Sequence, residues 1–551
     1  MDNLEILANK VFKEKLPSIE EIYNRYPSRN LKPEQRVTRV APSPTGFVHI
    51  GTIYAGLIAE RIAHTTNGVF IIRIEDTDTK REVKGSADAL AKTFQKYGLT
   101  PDEGMISGDE FIGNYGSYKQ SERKEIYHTF IKDLIKKGLA YPCFCTEEEL
   151  ENIVNQQKAQ NCPKLGYYGM WAKYRNFPVE EAIKKIDASE EYVIRIKSNG
   201  DSNKKIVVND LIKGNVEFPE SDQDIVIMKR DGLPTYHFAH IIDDFLMGTT
   251  IASRGDEWLP SVPLHLQLFK IMKWKAPRYA HIAPIMKIDE TGSKRKLSKR
   301  KDPEANVEFY DKEGYPIQSV IEYLMNLANS NFEDWRKQNP TKDYKEFPFS
   351  INKLGVSGAL FDFAKLASVS KEVIGRMSVD EIIKLSSEWA EKYDTELFKL
   401  ISDNKDYVRK ILSIERDNPK KVRKDIVKWS DMKNEISYFF DLDTSLVKEK
   451  LSTLGTDLVN SVMSSFKKVY NENDDNQQWF DKVKVISENF GYTSNMKEYK
   501  QNPDAYKGTV ADIAKILRIA ITGREQSPDL CSVMKVLGKD RVIERLNLDL
   551  K

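Results

Sequence analysis

The sequence predicts an α/β protein: a parallel-sheet domain carrying an inserted α+β subdomain, followed by an all-α region. Three observations carry this. Strand-like and helix-like stretches alternate from Arg36, as "RVTRVAP", "GTIYAGLIAERIAHTTNG" and "VFIIRIE", and such alternation favours a parallel sheet. Polar helices and a "CFC" segment break the rhythm over residues 110–222, before it resumes at "DIVIMKRDG". After about residue 320 the pattern is helical almost to the end.

The elements follow in order. Residues 1–35 read as a short helical extension ending near Pro33. "RVTRVAP" is the first strand. Ile53, Leu57, Ile58, Ile62 and Ala63 then recur at helical spacing and stop at Gly68. "VFIIRIE", rich in β-branched residues, is the second strand. Residues 36–110 are thus the first half of the sheet domain. Residues 111–222 are the insertion, with "CFC" as a hairpin. Residues 223–290 are the second half, with Asp231-Gly232 as a hairpin signal. The sheet pattern runs on through "YHFAHIIDDFLMG", "TTIASRG", "WLPSVPLHLQLFKIMKW" and "YAHIAPIMK". A basic loop opens residues 291–344, and residues 345–551 are the helical remainder.

Composition narrows the function. A chain of 551 residues implies several domains. Its net charge of +2 implies no general polyanion binder, though a local basic face remains open. No run approaches the roughly 18 apolar residues of a membrane helix, and the first residues carry no secretory apolar core. Four cysteines in so long a chain make no disulfide framework. The expectation is a cytoplasmic protein. All seven histidines precede residue 282, which agrees with chemistry in the first half.

Two motifs carry that chemistry. "RVAPSPTGFVHIGT" joins the first strand to its helix. A helix starting there puts free N–H groups and its dipole at the carboxyl edge of the sheet, where phosphate binds. Gly46 and Gly51 permit close backbone approach, Ser43 and Thr45 add hydroxyls, and His49 can donate to a phosphate oxygen. The spacing is neither that of a P-loop nor that of a dinucleotide fingerprint. The second motif, "KRKLSKRK" from Lys294 to Lys301, follows the apolar "HIAPIM". Its loop can bring Lys296 and Lys299 over a triphosphate, where charge neutralisation and positioning matter most.

"PSPTGFVHIGT" and "KLSKR" together resemble the two ATP-binding motifs of class I aminoacyl-tRNA synthetases. The series "FIIRIEDTD…PTYHFAH…DDFLMGTT…RGDEWL" narrows the resemblance to the glutamyl-tRNA synthetase family in its bacterial form, and "ITGREQSPDLCSVMKVLGKDRVIERL" extends it to the end of the chain. The resemblance implies a Rossmann-type catalytic domain, an inserted acceptor-binding subdomain and a helical anticodon-binding region. It implies a ligase that activates glutamate with ATP and Mg2+, releases pyrophosphate, and transfers glutamate to the 3′ end of tRNA-Glu, with bound tRNA needed for activation. A monomer is the family expectation. The alternatives are a glutaminyl-tRNA synthetase-like enzyme, or a non-discriminating one that also charges tRNA-Gln.

Site residues carry over by position. Arg39 and Arg254 match the glutamate pocket, and arginine suits bidentate carboxylate binding. Glu75 would meet the α-ammonium, with Ala41, Ser43 and Tyr236 completing the match. His240 stands where relatives have asparagine. Thr45, His49, Gly51, Glu257, Trp258, Lys296, Ser298 and Lys299 match the ATP site, with His49 and the two lysines catalytic. Ile285 and Met286 would offer backbone groups and apolar surface to adenine. Cys143, Cys145 and Cys162 resemble part of a zinc knuckle that lacks a fourth ligand, so no zinc is expected. In the helical region, basic clusters such as "NPKKVRKDIVKW" and "VRKIL", with Trp429 and Tyr407 nearby, read by themselves as a solvated helix face. The resemblance implies that this region binds the anticodon, where unpaired bases stack on aromatics, but no local motif marks the residues that read them.

Overall fold

The computed structural model describes residues 2–44, 46–78, 83–417 and 422–550. The first strand, β1 (Val37–Val40), is buried along its whole length. Strands covered on both faces are usually continuous apolar runs, so its two polar residues need internal partners. Thr38 donates to the Ala59 carbonyl at 2.7 Å, and Arg39 enters an ionic network described below. The helix Ile50–His64 crosses to β2 (Val69–Ile72), which pairs with β1 in parallel. The helix stops short of Gly68, where an added Cβ would lie 1.8 Å from the Arg36 carbonyl oxygen. β3 (Glu103–Met105) continues in parallel and β4 (Phe111–Ile112) turns back antiparallel.

In the insertion, β5 (Ala140–Cys143) pairs with β6 (Val193–Ile196), and β7 (Lys205–Asp210) forms a separate hairpin with β8 (Gly214–Pro219). β9 (Val226–Met228) then pairs with β6. "DIVIMKRDG" therefore closes the inserted sheet, rather than resuming the central one as expected. The turn at Asp231-Gly232 leads to a single bridge, Met228 to Pro234, because a helix, Tyr236–Leu246, begins two residues later. In it Phe238, Ile241 and Ile242 are fully buried at helical spacing.

The expected "CFC" hairpin is absent. Thr146 and Glu149 form a capping box, so the chain passes straight from β5 into the helix Glu147–Ala159. Cys143 and Cys145 are buried, with both thiols reaching the Tyr167 hydroxyl at 3.4 and 3.5 Å. Cys162 lies half-buried beyond that helix. Among the described residues, no three His, Cys, Asp or Glu side chains are grouped to hold a metal. The N-terminal helices, Asn3–Val11 and Ile19–Arg25, send Leu7 and Ile22, with Phe12 just past the first helix, into the core that Tyr127 and Phe130 share with the inserted sheet.

β10 (Ile251–Gly255) and β11 (Arg278–Ile282) extend the central sheet on the far side of β1, giving the order β11-β10-β1-β2-β3-β4. All of it is parallel except β4. The chain leaves β1 in one direction and returns on its other side. The carboxyl ends of β1 and β10 thus flank a topological switch point, where crevices form. A last hairpin, β12 (Met286–Ile288) and β13 (Lys294–Lys296), leads into the basic loop.

The chain divides into two compact units, residues 1–309 with 321–362, and residues 310–320 with 363–551. The boundary expected at 345 falls inside the first unit. There Tyr344 and Phe347 are buried, the Lys345 carbonyl accepts from Arg61, and Phe361 donates to the Met286 carbonyl. The second unit is helical around one core running from Ile374 to Leu546. Trp429 belongs to that core and Tyr407 packs against it. Trp429 is therefore no surface for bases, because the residue is only 4% exposed. Of the basic cluster beside it, residues 418–421 lie outside the described residues, and Arg423 is buried, donating to the Ile411 carbonyl and to Asp425. Among the described residues, no helix is long and apolar enough to cross a membrane.

Candidate active site

A cleft of about 560 Å³ opens at the switch point, lined from β1, the turn after it, the ends of β10 and β11, and the basic loop. It gathers Arg39, Ala41, Ser43, His49, Gly51, Glu75, Tyr236, Arg254, Glu257, Trp258, Ile285, Lys296 and Lys299. Segments more than 200 residues apart in sequence meet here. Thr45 lies outside the described residues.

One part of the cleft is built on a buried ionic network. Arg39 donates through Nε to Asp244 at 3.1 Å and through Nη1 to the Ser253 carbonyl at 2.9 Å. Arg73, fully buried behind it, donates to Asp244 at 2.8 Å and to Glu75 at 3.1 Å. Arg123 pairs with Asp243 at 2.7 Å. Three guanidinium groups thus face three carboxylates, so the desolvated charges are matched. Burial holds the Glu75 carboxyl above its ordinary range, although Arg73 and Arg39 oppose this.

Arg254 is held as tightly. Nε donates to His281 Nε2 at 3.1 Å and Nη1 to the Tyr236 hydroxyl at 3.0 Å. Nη2 reaches the Trp258 carbonyl at 3.4 Å and His265 Nδ1 at 3.2 Å. His265 Nε2 in turn lies 3.0 Å from His237 Nδ1. Burial, with Arg254 adding to it, lowers the affinity of His237 for a proton. Burial, then His240 and then Arg254, pushes His265 well below its ordinary range.

The other part is phosphate-sized and basic. His49 caps the helix Ile50–His64, its Nδ1 accepting from the Gly51 N–H at 2.9 Å. Desolvation, then Lys299 and Lys296, lower its pKa to about 4, so the ring is neutral near pH 7. Lys299 lies 5.0 Å above the Phe47 ring and donates to the Phe47 carbonyl at 3.4 Å. Lys296 pairs with Glu257 at 3.4 Å, both half-exposed.

Three expected residues do not line the cleft. His240 is fully buried behind the wall, 3.1 Å from Asp244 and 3.3 Å from the Tyr279 hydroxyl. Burial and the nearby Arg254, Arg39 and Arg73 push its pKa well down, so it is a neutral brace. Met286 is not among the lining residues; its N–H donates to the Ala359 carbonyl and its own carbonyl accepts from Phe361, each at 2.8 Å. The Ile285 carbonyl likewise accepts from Leu297 at 2.9 Å. Ser298 turns inward to Asp302, its N–H donating at 2.8 Å.

Residues 35–347 match the model of the class I tRNA synthetase (E and Q) catalytic domain, and residues 381–549 that of an anticodon binding domain. A glutamate–tRNA ligase of Clostridium perfringens (strain 13 / Type A) is 48% identical over 98% of this chain and 100% of its own length. That of Clostridium beijerinckii is 46% identical over 99% of each. The chain belongs to the class I glutamate–tRNA ligases. A solved member, the glutamate tRNA ligase from Elizabethkingia meningosepticum in complex with its amino acid, superposes with a TM-score of 0.71 at 28% identity, over 93% of this chain and 99% of that one.

Sequence reasoning missed the residues behind the wall of this ligase cleft. Arg73, Asp244, His265 and His281 contact the lining rather than forming it, and Asp210 stands one step further back, against His281. The one signal available was charge inside apolar runs: Arg73 in "FIIRIE" and Asp243-Asp244 in "HIIDDFL". Charged residues at core positions need paired partners.

Proposed function

We propose that this chain joins glutamate to ATP, supplied as its magnesium complex, to give glutamyl-adenylate and pyrophosphate, and then transfers the glutamyl group to the terminal ribose of tRNA-Glu. The observation that carries this is the division of one cleft into two chemically distinct parts. Arg39, Arg254 and Glu75 suit a dicarboxylic amino acid, while His49, Lys296 and Lys299 suit a triphosphate. A pocket with two fixed cations and one anion complements a substrate with two carboxylates and one ammonium.

In the first step a glutamate α-carboxylate oxygen attacks the α-phosphorus and the bond to pyrophosphate breaks. Such a reaction needs alignment and charge stabilisation more than acid–base help. The neutral His49 has its proton on Nε2, because Nδ1 accepts from Gly51; that N–H faces the Leu297 carbonyl and turns from it to donate to a phosphate oxygen when ATP binds. Lys296 and Lys299 neutralise the charge that builds on the leaving pyrophosphate. Lys296 exchanges Glu257 for phosphate at little cost, since an exposed pair is worth about 0–1 kcal/mol. Arg254 takes the side-chain carboxylate and Glu75 the ammonium. In the second step the ribose hydroxyl attacks the activated carbonyl and AMP leaves. The helical unit supplies recognition of the anticodon, and the insertion recognition of the acceptor end.

The test is aminoacylation of purified tRNA-Glu and tRNA-Gln with glutamate, glutamine and aspartate. Charging of tRNA-Glu with glutamate alone among the amino acids is expected. Charging with glutamine at a comparable rate would refute the pocket reading.

A further inference from the structure

We propose that Asp210 and His281 are positioning residues that aim Arg254 into the cleft, so that the inserted hairpin β7–β8 sets the affinity for glutamate. This rests on the reading of Arg254 as the partner of the substrate side chain.

The three side chains form a buried line. Asp210 is 3% exposed, His281 0% and Arg254 7%. Asp210 Oδ2 lies 2.6 Å from His281 Nδ1, and His281 Nε2 lies 3.1 Å from Arg254 Nε. A guanidinium only donates, so Nε2 must present its lone pair and the His281 proton must sit on Nδ1. The Asp210 carboxylate accepts that proton's hydrogen bond and holds the tautomer in place. The other oxygen of Asp210 accepts from the Ile212 and Lys213 N–H groups, each at 2.9 Å, and the His281 N–H reaches Oδ2 at 3.1 Å. Every contact of this carboxylate is thus with a donor, and no amide could replace it without setting donor against donor.

The consequence falls on Arg254. Of its five N–H groups, Nε serves His281, one on Nη1 serves Tyr236, and both on Nη2 serve Trp258 and His265. Among the described residues this leaves one Nη1 N–H for a ligand in the cleft. Turning the His281 ring to its other tautomer would oppose Nε2–H to Nε–H and swing that donor away. The alternative is that Asp210 merely ties the hairpin to β11, where Leu211 also donates to the Tyr279 carbonyl at 2.9 Å.

Michaelis constants for glutamate and for ATP in tRNA-Glu aminoacylation separate the two roles. Asp210→Asn should raise the glutamate constant about tenfold or more, the worth of one charge-assisted hydrogen bond, and leave that for ATP within about twofold. His281→Gln, whose amide oxygen can replace Nε2 as acceptor, should stay within about threefold, whereas His281→Ala should match Asp210→Asn. The double variant Asp210→Asn/His281→Gln should be no worse than His281→Gln alone, because Asp210 acts through the ring. Equal effects of His281→Gln and His281→Ala, or parallel increases for glutamate and ATP, would overturn the proposal, and the histidine pair decides it even if Asp210→Asn fails to fold. Arg254→Leu in the same assay keeps the readings apart. If it leaves the glutamate constant unchanged, the pocket reading has failed; if it raises the constant while Asp210→Asn and His281→Ala do not, the positioning role has failed.

Discussion

The N–H of Gly51 donates to Nδ1 of His49 at 2.9 Å, and a Cβ on Gly51 would stand 2.8 Å from that same nitrogen. The pair fixes both the tautomer and the place of the ring, and the absent side chain is what leaves room for it. Gly51→Ala should therefore displace the imidazole. A misplacement of about 1 Å can cost on the order of a hundredfold in rate. The same change adds up to about 1 kcal/mol of helix propensity. The expected result is slower single-turnover adenylate formation with an unchanged or higher thermal midpoint.

Lys299→Ala should slow adenylate formation by about two to three orders of magnitude, the usual cost of one preorganised charge. Among the described residues its one hydrogen bond is a long one to the Phe47 carbonyl, so stability should change by less than about 0.5 kcal/mol. Rapid-quench measurement of adenylate beside a thermal melt checks both halves. An undiminished single-turnover rate would remove Lys299 from the mechanism.

Burial raises the Glu75 pKa, so the carboxyl takes up its proton at a higher pH than an exposed glutamate. A protonated Glu75 offers the substrate ammonium no counter-charge. Affinity for glutamate should weaken as pH falls through that raised pKa, while affinity for ATP does not follow it. In Glu75→Gln the slope should vanish and binding should be weak at every pH. Titration calorimetry across pH 5 to 8 reads this.

His64 shows the opposite sign. Asp102 at 2.8 Å and Glu60 at 2.7 Å raise its pKa to about 9, against burial. A raised cationic pKa stabilises the fold fully below the unfolded value of about 6.5, and that contribution is lost as pH climbs through 9. With the ring partly exposed, about 1–2 kcal/mol is at stake. Wild-type protein should lose more thermal stability between pH 6.5 and 9 than His64→Gln, and parallel curves would contradict the assignment.

Two truncations test the division of the chain. Ending at residue 344 removes the Lys345 carbonyl that holds Arg61, and the Ala359 and Phe361 backbone groups that hold Met286. Ending at 362 keeps them. The longer fragment should bind ATP like the intact chain and the shorter one less well. Neither should bind tRNA-Glu with the steep salt dependence that phosphate contacts confer. Full aminoacylation by the longer fragment would show that residues 363–551 are not needed for recognition.

Much of this was legible in the sequence. The helix after β1 announced itself by Ile53, Leu57 and Ile62. The turn "PSPTGFVHIGT" and the lysines of "KLSKR" are local patterns, and local chemistry can be read from a string. Where the period was short or the run amphipathic, reading failed. "YHFAHIIDDFL" has the apolar density of a strand and is a helix. "DIVIM" is a strand but belongs to the other sheet, since an apolar run does not say which neighbour covers it.

By itself the sequence determined the chemistry available to this protein: a glycine-bearing turn, a neutralising pair of lysines, and arginines to meet a carboxylate. Only the tertiary structure decided which of these groups line the cleft and which hold others still. His240 sits at an expected pocket position in the string, yet in space it stands behind Arg39 with its ring against Asp244. Met286 follows Ile285 in the string, yet Ile285 lines the cleft and Met286 does not, its backbone pairing with Ala359 and Phe361. Asp210, 71 residues from His281, sets the tautomer on which Arg254 depends. The reason is physical. A buried donor or acceptor must find its partner wherever the chain has folded, and that partner is a matter of distance in space, which spacing along the chain does not record.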